Sequence, residues 1–378
     1  MGLVRKCLSK AIVLTATLAT AALVAPAPVW AQSAVPQPCV DDRLPSGAFS
    51  HVCIPLGWNG QLVVFAHGYV APGLPLAFYD LALADGSSLP ELVQALGYGF
   101  ATTSYRQNGL AILEGMNDIR ELVAFFHEHY STPSRTIVAG ASEGGLIATL
   151  LAEQSPDLFD RGFAACGPIG DFRTQINYLA DFRVLFDYFF PGLIPGSAID
   201  VPPSVGASWL TSYVPAIGTA LAANPGRALE LLRVAKAPYD PAVPATIVNT
   251  TLDLLWYNVF AMADVVAKLG GNPFGNRLTW YYGSRNDLRL NAQVARFTAA
   301  PRALAALRPY RTTGKLSIPL FTLHTTGDDV VPIRQELLYL LKYEPSGRGL
   351  FLPIPVSRYG HCNFTADEAL RAFGLLVA

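Results

Sequence analysis

Arg135-Thr136-Ile137-Val138-Ala139-Gly140-Ala141-Ser142-Glu143-Gly144-Gly145-Leu146-Ile147-Ala148-Thr149-Leu150-Leu151 is the stretch whose reading decides the fold. Arg135 to Ala139 is a short β-branched run and reads as a strand buried on both faces of a parallel sheet. Gly145 to Glu153, rich in Leu and Ala, reads as a buried helix. Between them Gly140 to Gly144 leaves room only for a sharp turn. A serine there takes a strained backbone position, and the glycines two residues to either side let the chain pass closely. Ser142 is then displayed at a helix N-terminus, where the Glu143 N–H is free to face a developing oxyanion. A tight turn with a structural serine would explain the five residues alone; the flanking strand and helix favour a nucleophile.

The segments on either side repeat the same rhythm. Gln61 to Ala66 and Tyr98 to Tyr105 read as strands, Phe49 to Ile54 as an edge strand, and Leu89 to Leu96 and Glu114 to Tyr130 as helices. Phe163 to Cys166 continues the series, giving the alternation of a parallel sheet wrapped by helices. From Asp171 to about Arg277 the alternation breaks into an aromatic run stopped by Pro191 and helical patches around 225–236 and 252–269. Asn224 is a candidate N-cap for the first of these. The sheet resumes at Ile318 to His324, followed by the acidic loop Thr325 to Pro332, with Pro332 suited to a first helical position. An extended run from Leu350 to Val356, the loop Ser357 to Cys362 and a closing helix complete the chain.

Composition narrows the functions. A chain of 378 residues that is 51% hydrophobic can bury one large core with an insertion, or two. A net charge of -1 gives no reason to expect nucleic acid or an anionic membrane as partner. There is no CxxC pair, HExxH motif or phosphate-cradling glycine loop, so no metal or nucleotide cofactor is expected. Residues 1–31 read as a signal peptide: Arg5, Lys6 and Lys10 precede an apolar core from Ala11 to Ala25, with cleavage expected before Gln32. That core is shorter than the ~20 residues of a membrane span, so the expectation is a secreted or periplasmic protein without stable membrane insertion. Export permits disulfides among Cys39, Cys53, Cys166 and Cys362. Of three pairings the most local, Cys39 with Cys53, would tie an N-terminal hairpin. Cys166 with Cys362 would then join a strand end to the loop carrying His361; otherwise these are two buried thiols.

A nucleophilic serine needs a base and a group that orients the base. His361, in a loop after the final strand, is the expected base, with His324 as a rival whose strand-end position reads as structural. Asp328 or Asp329, just past the end of a strand, supplies the acid. The order Ser142, Asp328, His361 is that of the α/β-hydrolase triad, and from about Gln61 onward the chain resembles a secreted α/β-hydrolase of the serine esterase type. The resemblance implies a mostly parallel sheet flanked by helices with a helical cap insertion: signal peptide 1–31, core 32–170, cap 171–277, core 278–378. It favours Asp328, whose loop is similar to an Asp-x-Val-Val-Pro acid loop. It assigns the oxyanion hole to the N–H groups of Tyr69 and Glu143, with Gly68 as the alternative to Tyr69, and leaves the His67 side chain to order its loop. Most aromatics of such a cap read as its own core, but a cap rich in Phe and Tyr with few charges would also wall an apolar pocket, which implies an apolar acyl or aryl group on a small-molecule or polymeric ester, with no cofactor. His361-Cys362 is similar to the tannase and fungal-type feruloyl esterase group, in which a cysteine beside the histidine bridges to one beside the nucleophile; here Ala141 stands at that place and Cys166 is the partner on offer. A secreted serine peptidase, a polyester depolymerase and a non-catalytic binding protein are the rival functions.

Overall fold

The computed structural model describes residues 34–378. The expected signal peptide, Cys7 and the cleavage point before Gln32 lie outside the described residues. Strand β1 (Val40–Arg43) pairs antiparallel with β2 (Phe49–Cys53), and a Cys39–Cys53 disulfide closes this hairpin. Phe49 to Ile54, expected at the sheet edge, is therefore covered by β1. The reason β1 escapes notice is that Val40-Asp41-Asp42-Arg43 is short, charged and exposed along its whole length, which is how an edge strand avoids further pairing.

The alternating core follows as β3 (Gln61–Ala66), α1 (Leu89–Ala95), β4 (Gly99–Thr103), α2 (Ile112–His129), β5 (Arg135–Ala141), α3 (Glu143–Gln154) and β6 (Arg161–Ala165). Strands β3, β4 and β5 are buried almost throughout, with no inside-outside alternation, because helices cover both faces. Helix α1 begins where Ser88 accepts from the Glu91 N–H and Pro90 occupies the first turn.

No strand of the sheet lies between β6 and Lys315. That stretch holds α4 (Phe172–Phe189), α5 (Pro203–Ala207), a π-helical turn at Trp209–Tyr213, α6 (Val214–Ala223), α7 (Pro225–Ala235), α8 (Thr246–Lys268), α9 (Asp287–Gln293) and α10 (Pro301–Ala306). Asn224 precedes α7 without capping it, since its amide donates back to the Ala220 carbonyl at 3.2 Å. The chain then forms β7 (Lys315–Leu316), β8 (Pro319–Gly327), α11 (Arg334–Leu340), β9 (Glu344–Pro345), β10 (Leu350–Tyr359) and α12 (Ala366–Val377). Helix α11 starts two residues beyond Pro332, whose carbonyl accepts from the Gln335 N–H at 3.0 Å in the turn before it.

The main sheet runs β1-β2-β4-β3-β5-β6-β8-β10, antiparallel at β1, β2 and β4 and parallel from β4 onward. Its two faces serve different layers. Leu62, Val64 and Val138 pack under α2 and α3 in a core continuous with the helices after β6. Val63, Phe65, Phe100, Phe163 and Leu323 face the other way, under α1 and α12. Among the described residues no helix is long and apolar enough to cross a membrane.

The Cys39–Cys53 bridge closes a separation of 14 residues at the sheet edge. Replacing both cysteines by serine is expected to lower unfolding free energy by about 3 kcal/mol, measured by urea denaturation.

Candidate active site

Strand β5 is central, so the residue that follows it emerges in the middle of the sheet's C-terminal edge, where open parallel sheets place their ligands. That residue is Ser142. Its φ of 56° and ψ of -121° are strained for a residue with a Cβ. The two glycines of the turn explain why the chain passes at all: a Cβ on Gly140 would lie 2.1 Å from the Gly144 carbonyl oxygen, and one on Gly144 would lie 1.9 Å from that of Ala66. The Ser142 N–H donates to the Ala165 carbonyl of β6 at 2.9 Å, which pins the turn to the neighbouring strand.

The Ser142 hydroxyl donates to His361 Nε2 at 2.8 Å, and His361 Nδ1 donates to Asp328 Oδ2 at 2.8 Å. Serine, histidine and acid are thus one hydrogen-bonded line, drawn from the ends of β5, β10 and β8. Asp328 is fully buried, and its Oδ1 also accepts from the N–H groups of Val330 and Val331 at 3.0 and 2.7 Å. Burial pushes this carboxyl up, but His361 and His324 together hold it down at about 2. For His361 burial acts to lower the pKa, and the Asp328 carboxylate outweighs it, so the ring titrates above its ordinary value. Asp329 turns away from the line and accepts from the Tyr359 hydroxyl at 3.2 Å. His324 is buried behind Asp328, 3.4 Å from Oδ2, with its Nδ1 on Glu336 at 2.9 Å and its Nε2 on the Val331 carbonyl at 2.8 Å.

A second bridge holds the histidine loop. Cys166, directly after β6, is disulfide-bonded to Cys362, the neighbour of His361. The partner cysteine stands at the end of the adjacent strand and not beside Ser142, so the likeness to the tannase group goes no further than the His-Cys pair. The sites where cysteine and histidine gather, Cys39-His51-Cys53 and Cys166-His361-Cys362, have their sulfurs committed to disulfides and offer no thiolate to a metal.

The loop after β3 packs against the serine turn: a Cβ on Gly68 would lie 3.2 Å from Ser142 Cβ. Within it the Gly68 N–H is committed to Asp80 Oδ2 at 2.7 Å, whereas among the described residues the N–H groups of Tyr69 and Glu143 donate to no protein acceptor. The His67 ring stacks on Tyr105 with centroids 3.9 Å apart and its Nδ1 lies 2.8 Å from the Gly68 carbonyl, a loop-ordering role. The Glu143 side chain points away under α2, accepting from the Ala111 N–H at 2.9 Å, and burial pushes its carboxyl up to about 8.

Two cavities meet at His361 and Tyr257. One, of about 250 Å³, runs from Ser142 into the layer between the sheet and helices α1 and α12. The other, about 630 Å³ and more open, lies against Asn249, Asp253 and Trp256 of α8 with Asp329 and Tyr359. Of the two readings of the aromatic side chains between β6 and β8, core residues or walls of an apolar pocket, the packing gives the first. Phe182, Phe186, Phe189, Phe190 and Trp209 are buried in that segment's own core, and Tyr257 alone represents it on the apolar cavity.

Strand order, a serine at φ 56° in the turn after the central strand, and histidine and acid delivered by the last two strands of the sheet together decide the architecture. The chain has the α/β-hydrolase fold. No family model matches it. A curated relative, an o-phthalyl amidase of Xanthobacter agilis, is 24% identical over 405 residues, covering 88% of this chain and 85% of that one. Among solved structures, a Pyrococcus horikoshii acylaminoacyl peptidase superposes with a TM-score of 0.45 at 13% identity over 91% of this chain. The chain spans only 41% of that peptidase. Feruloyl esterase B of Aspergillus oryzae gives 0.45 at 13% identity, covering 86% of this chain and 73% of that one.

Within this fold the residues that sequence reasoning missed act at one remove. Asp80 holds Gly68 from a loop with no periodic pattern, and its own φ of 57° is the only local sign that it is special. Glu336, in the first turn of α11, completes the surroundings of His324, and a lone glutamate on a short helix carries no such signal. Burial acts to lower the His324 pKa, but Asp328 and Glu336 raise it to about 10. The native state therefore keeps a proton that the unfolded chain, titrating near ~6.5, releases. This contribution to stability is complete below about pH 6.5 and is lost as pH rises toward about 10, at up to ~1.4 kcal/mol per pH unit. Urea denaturation across that range should give a declining stability that His324→Gln flattens.

Proposed function

We propose that the protein is a serine hydrolase of carboxylic esters that carry an apolar acyl or aryl group, with Ser142, His361 and Asp328 as its triad. The observation that carries this is the unbroken line from the Ser142 hydroxyl through His361 to Asp328, with both hydrogen bonds at 2.8 Å. Ser142 Oγ attacks the ester carbonyl carbon as its proton passes to His361 Nε2, and the N–H groups of Tyr69 and Glu143 receive the charge that forms on the carbonyl oxygen. The bond to the leaving oxygen breaks, and His361 returns the proton to it. Water then attacks the acyl-enzyme, giving a proton to His361 that goes back to Ser142 as the acid departs. Asp328 holds the tautomer that leaves Nε2 bare and stabilises the imidazolium while it lasts. No cofactor enters these steps.

The amidase relative supports the acyl-transfer class more than the choice of ester, so amide cleavage by the same line is the second reading. The enclosed apolar cavity beside Ser142 favours a small-molecule ester over a polymer held in an open cleft. We also read the helical segment 171–277 as a cap, 1–31 as a signal peptide and the mature chain as secreted or periplasmic, a reading that the two disulfides support.

Initial rates on p-nitrophenyl esters beside p-nitroanilides test the class. Ser142→Ala is expected to lose on the order of 10⁶ in kcat and Asp328→Asn ~10⁴, while Asp329→Asn loses far less; equal losses at the two aspartates would remove Asp328 from the triad. Because catalysis needs neutral imidazole, kcat/KM should climb with pH through a pKa above the ordinary histidine value of about 6.5. A profile flat from about pH 5 to about pH 9 would count against His361.

A further inference from the structure

The cavity that opens at Ser142 is not where a cap would put it. Its walls are Val63, Phe100, Phe163 and Leu323 from one sheet face and the α1 and α12 side chains that cover that face, Leu92 and Leu370 among them. The helices between β6 and β8 build on the opposite face, in the core shared with α2 and α3. The two cavities therefore differ in chemistry as well as place: one is an apolar chamber inside the α/β core, the other a wider polar space under α8 that holds Asp253 and Asp329.

We propose that the acyl half of the substrate enters the core chamber, between the sheet and helices α1 and α12, and that this chamber selects an uncharged aliphatic or arylalkyl acyl group of medium length. The proposal rests on the serine hydrolase reading above and assigns which side of Ser142 takes which half of the ester. The chamber, about 250 Å³, ends against Leu370 and Phe373 of α12, so short acyl groups leave it unfilled and long ones meet that helix. Selection against charge follows from the lining. Apart from His361 the ionisable side chain with a formal charge on the chamber is Asp80, fixed beside Ser142 by its 2.7 Å bond to the Gly68 N–H. An acyl group bearing a carboxylate would meet that like charge and then an apolar wall, with no cation among the lining residues to receive it.

The full chain can be tested directly with an alkyl fluorophosphonate that carries a diazirine at the end of an eight-carbon chain. Ser142 Oγ forms a bond to phosphorus, fluoride leaves and the serine proton passes to His361; light then expels nitrogen and the carbene inserts into whatever lies at the chain end. Peptide mapping should place the cross-links in 89–96 and 364–373. Cross-links in 249–257 would overturn the proposal, and a missing adduct at Ser142 would overturn the hydrolase reading beneath it. Kinetics give a second check. Leu370→Trp, which fills the chamber from α12, should lower the octanoate-to-acetate ratio of kcat/KM at least about tenfold, and Trp256→Ala should leave that ratio within about twofold; the opposite pattern would move the acyl group to the α8 side. A p-nitrophenyl hexanoate should outpace its ω-carboxylate analogue by roughly a hundredfold or more, with Asp80→Asn narrowing the gap, and equal rates would overturn the selection against charge.

Discussion

Backbone crowding at the Ser142 turn is the constraint on which the rest of the site depends. A Cβ on Gly140 would run into the Gly144 carbonyl and one on Gly144 into the carbonyls of Ala66 and His67, and Ser142 between them sits at φ 56°. A conformation of this kind costs about 1–3 kcal/mol. It persists because neither flank can give way. Strand β5 is hydrogen-bonded on both sides, to β3 and β6, and α3 is buried from Glu143 through Ala152. Relaxing the turn would mean withdrawing buried helix or strand from the core, which costs more than the strain it would relieve.

The second constraint is a buried negative charge. Asp328 is fully buried, and an isolated carboxylate there would take up a proton and cease to orient a histidine. Two backbone N–H groups and two histidines keep it ionised. His324 in turn is balanced by Glu336, so a hydrogen-bonded and ion-paired series runs from Glu336 through His324 and Asp328 to the Nδ1–H of His361. The Cys166–Cys362 bridge works beside this electrostatic chain by covalently fixing the loop that carries His361 to the strand that accepts the Ser142 N–H.

The two sheet faces divide the labour. Helices α2 and α3 and the long helical segment after β6 share one core, while α1 and α12 cover a face whose packing leaves the chamber beside Ser142. The apolar space therefore lies inside the α/β core and the more polar space under α8, with His361 and Tyr257 on both.

The sequence by itself determined the elements whose signal is local. The strand, turn and helix around Ser142 need β-branched residues, paired glycines and a buried Leu-Ala run, all contiguous, and each is where the pattern puts it. His361 and Asp328 were legible because both follow strands of the parallel sheet, so chain order carries them to one edge. Pairing of Cys166 with Cys362 was legible for the same reason. Between Asp328 and Asp329 the residues alone left the choice open and a resemblance favoured Asp328; the direction of the two side chains, one on His361 and the other on Tyr359, is set by the tertiary structure. Only the tertiary structure showed Asp80 on Gly68 and Glu336 on His324, contacts made across loops that have no period. And only the tertiary structure located the apolar chamber, because a run of aromatic residues reads the same whether it lines a pocket or fills its own core; what separates the two is the packing partner, and that is not written in the run itself.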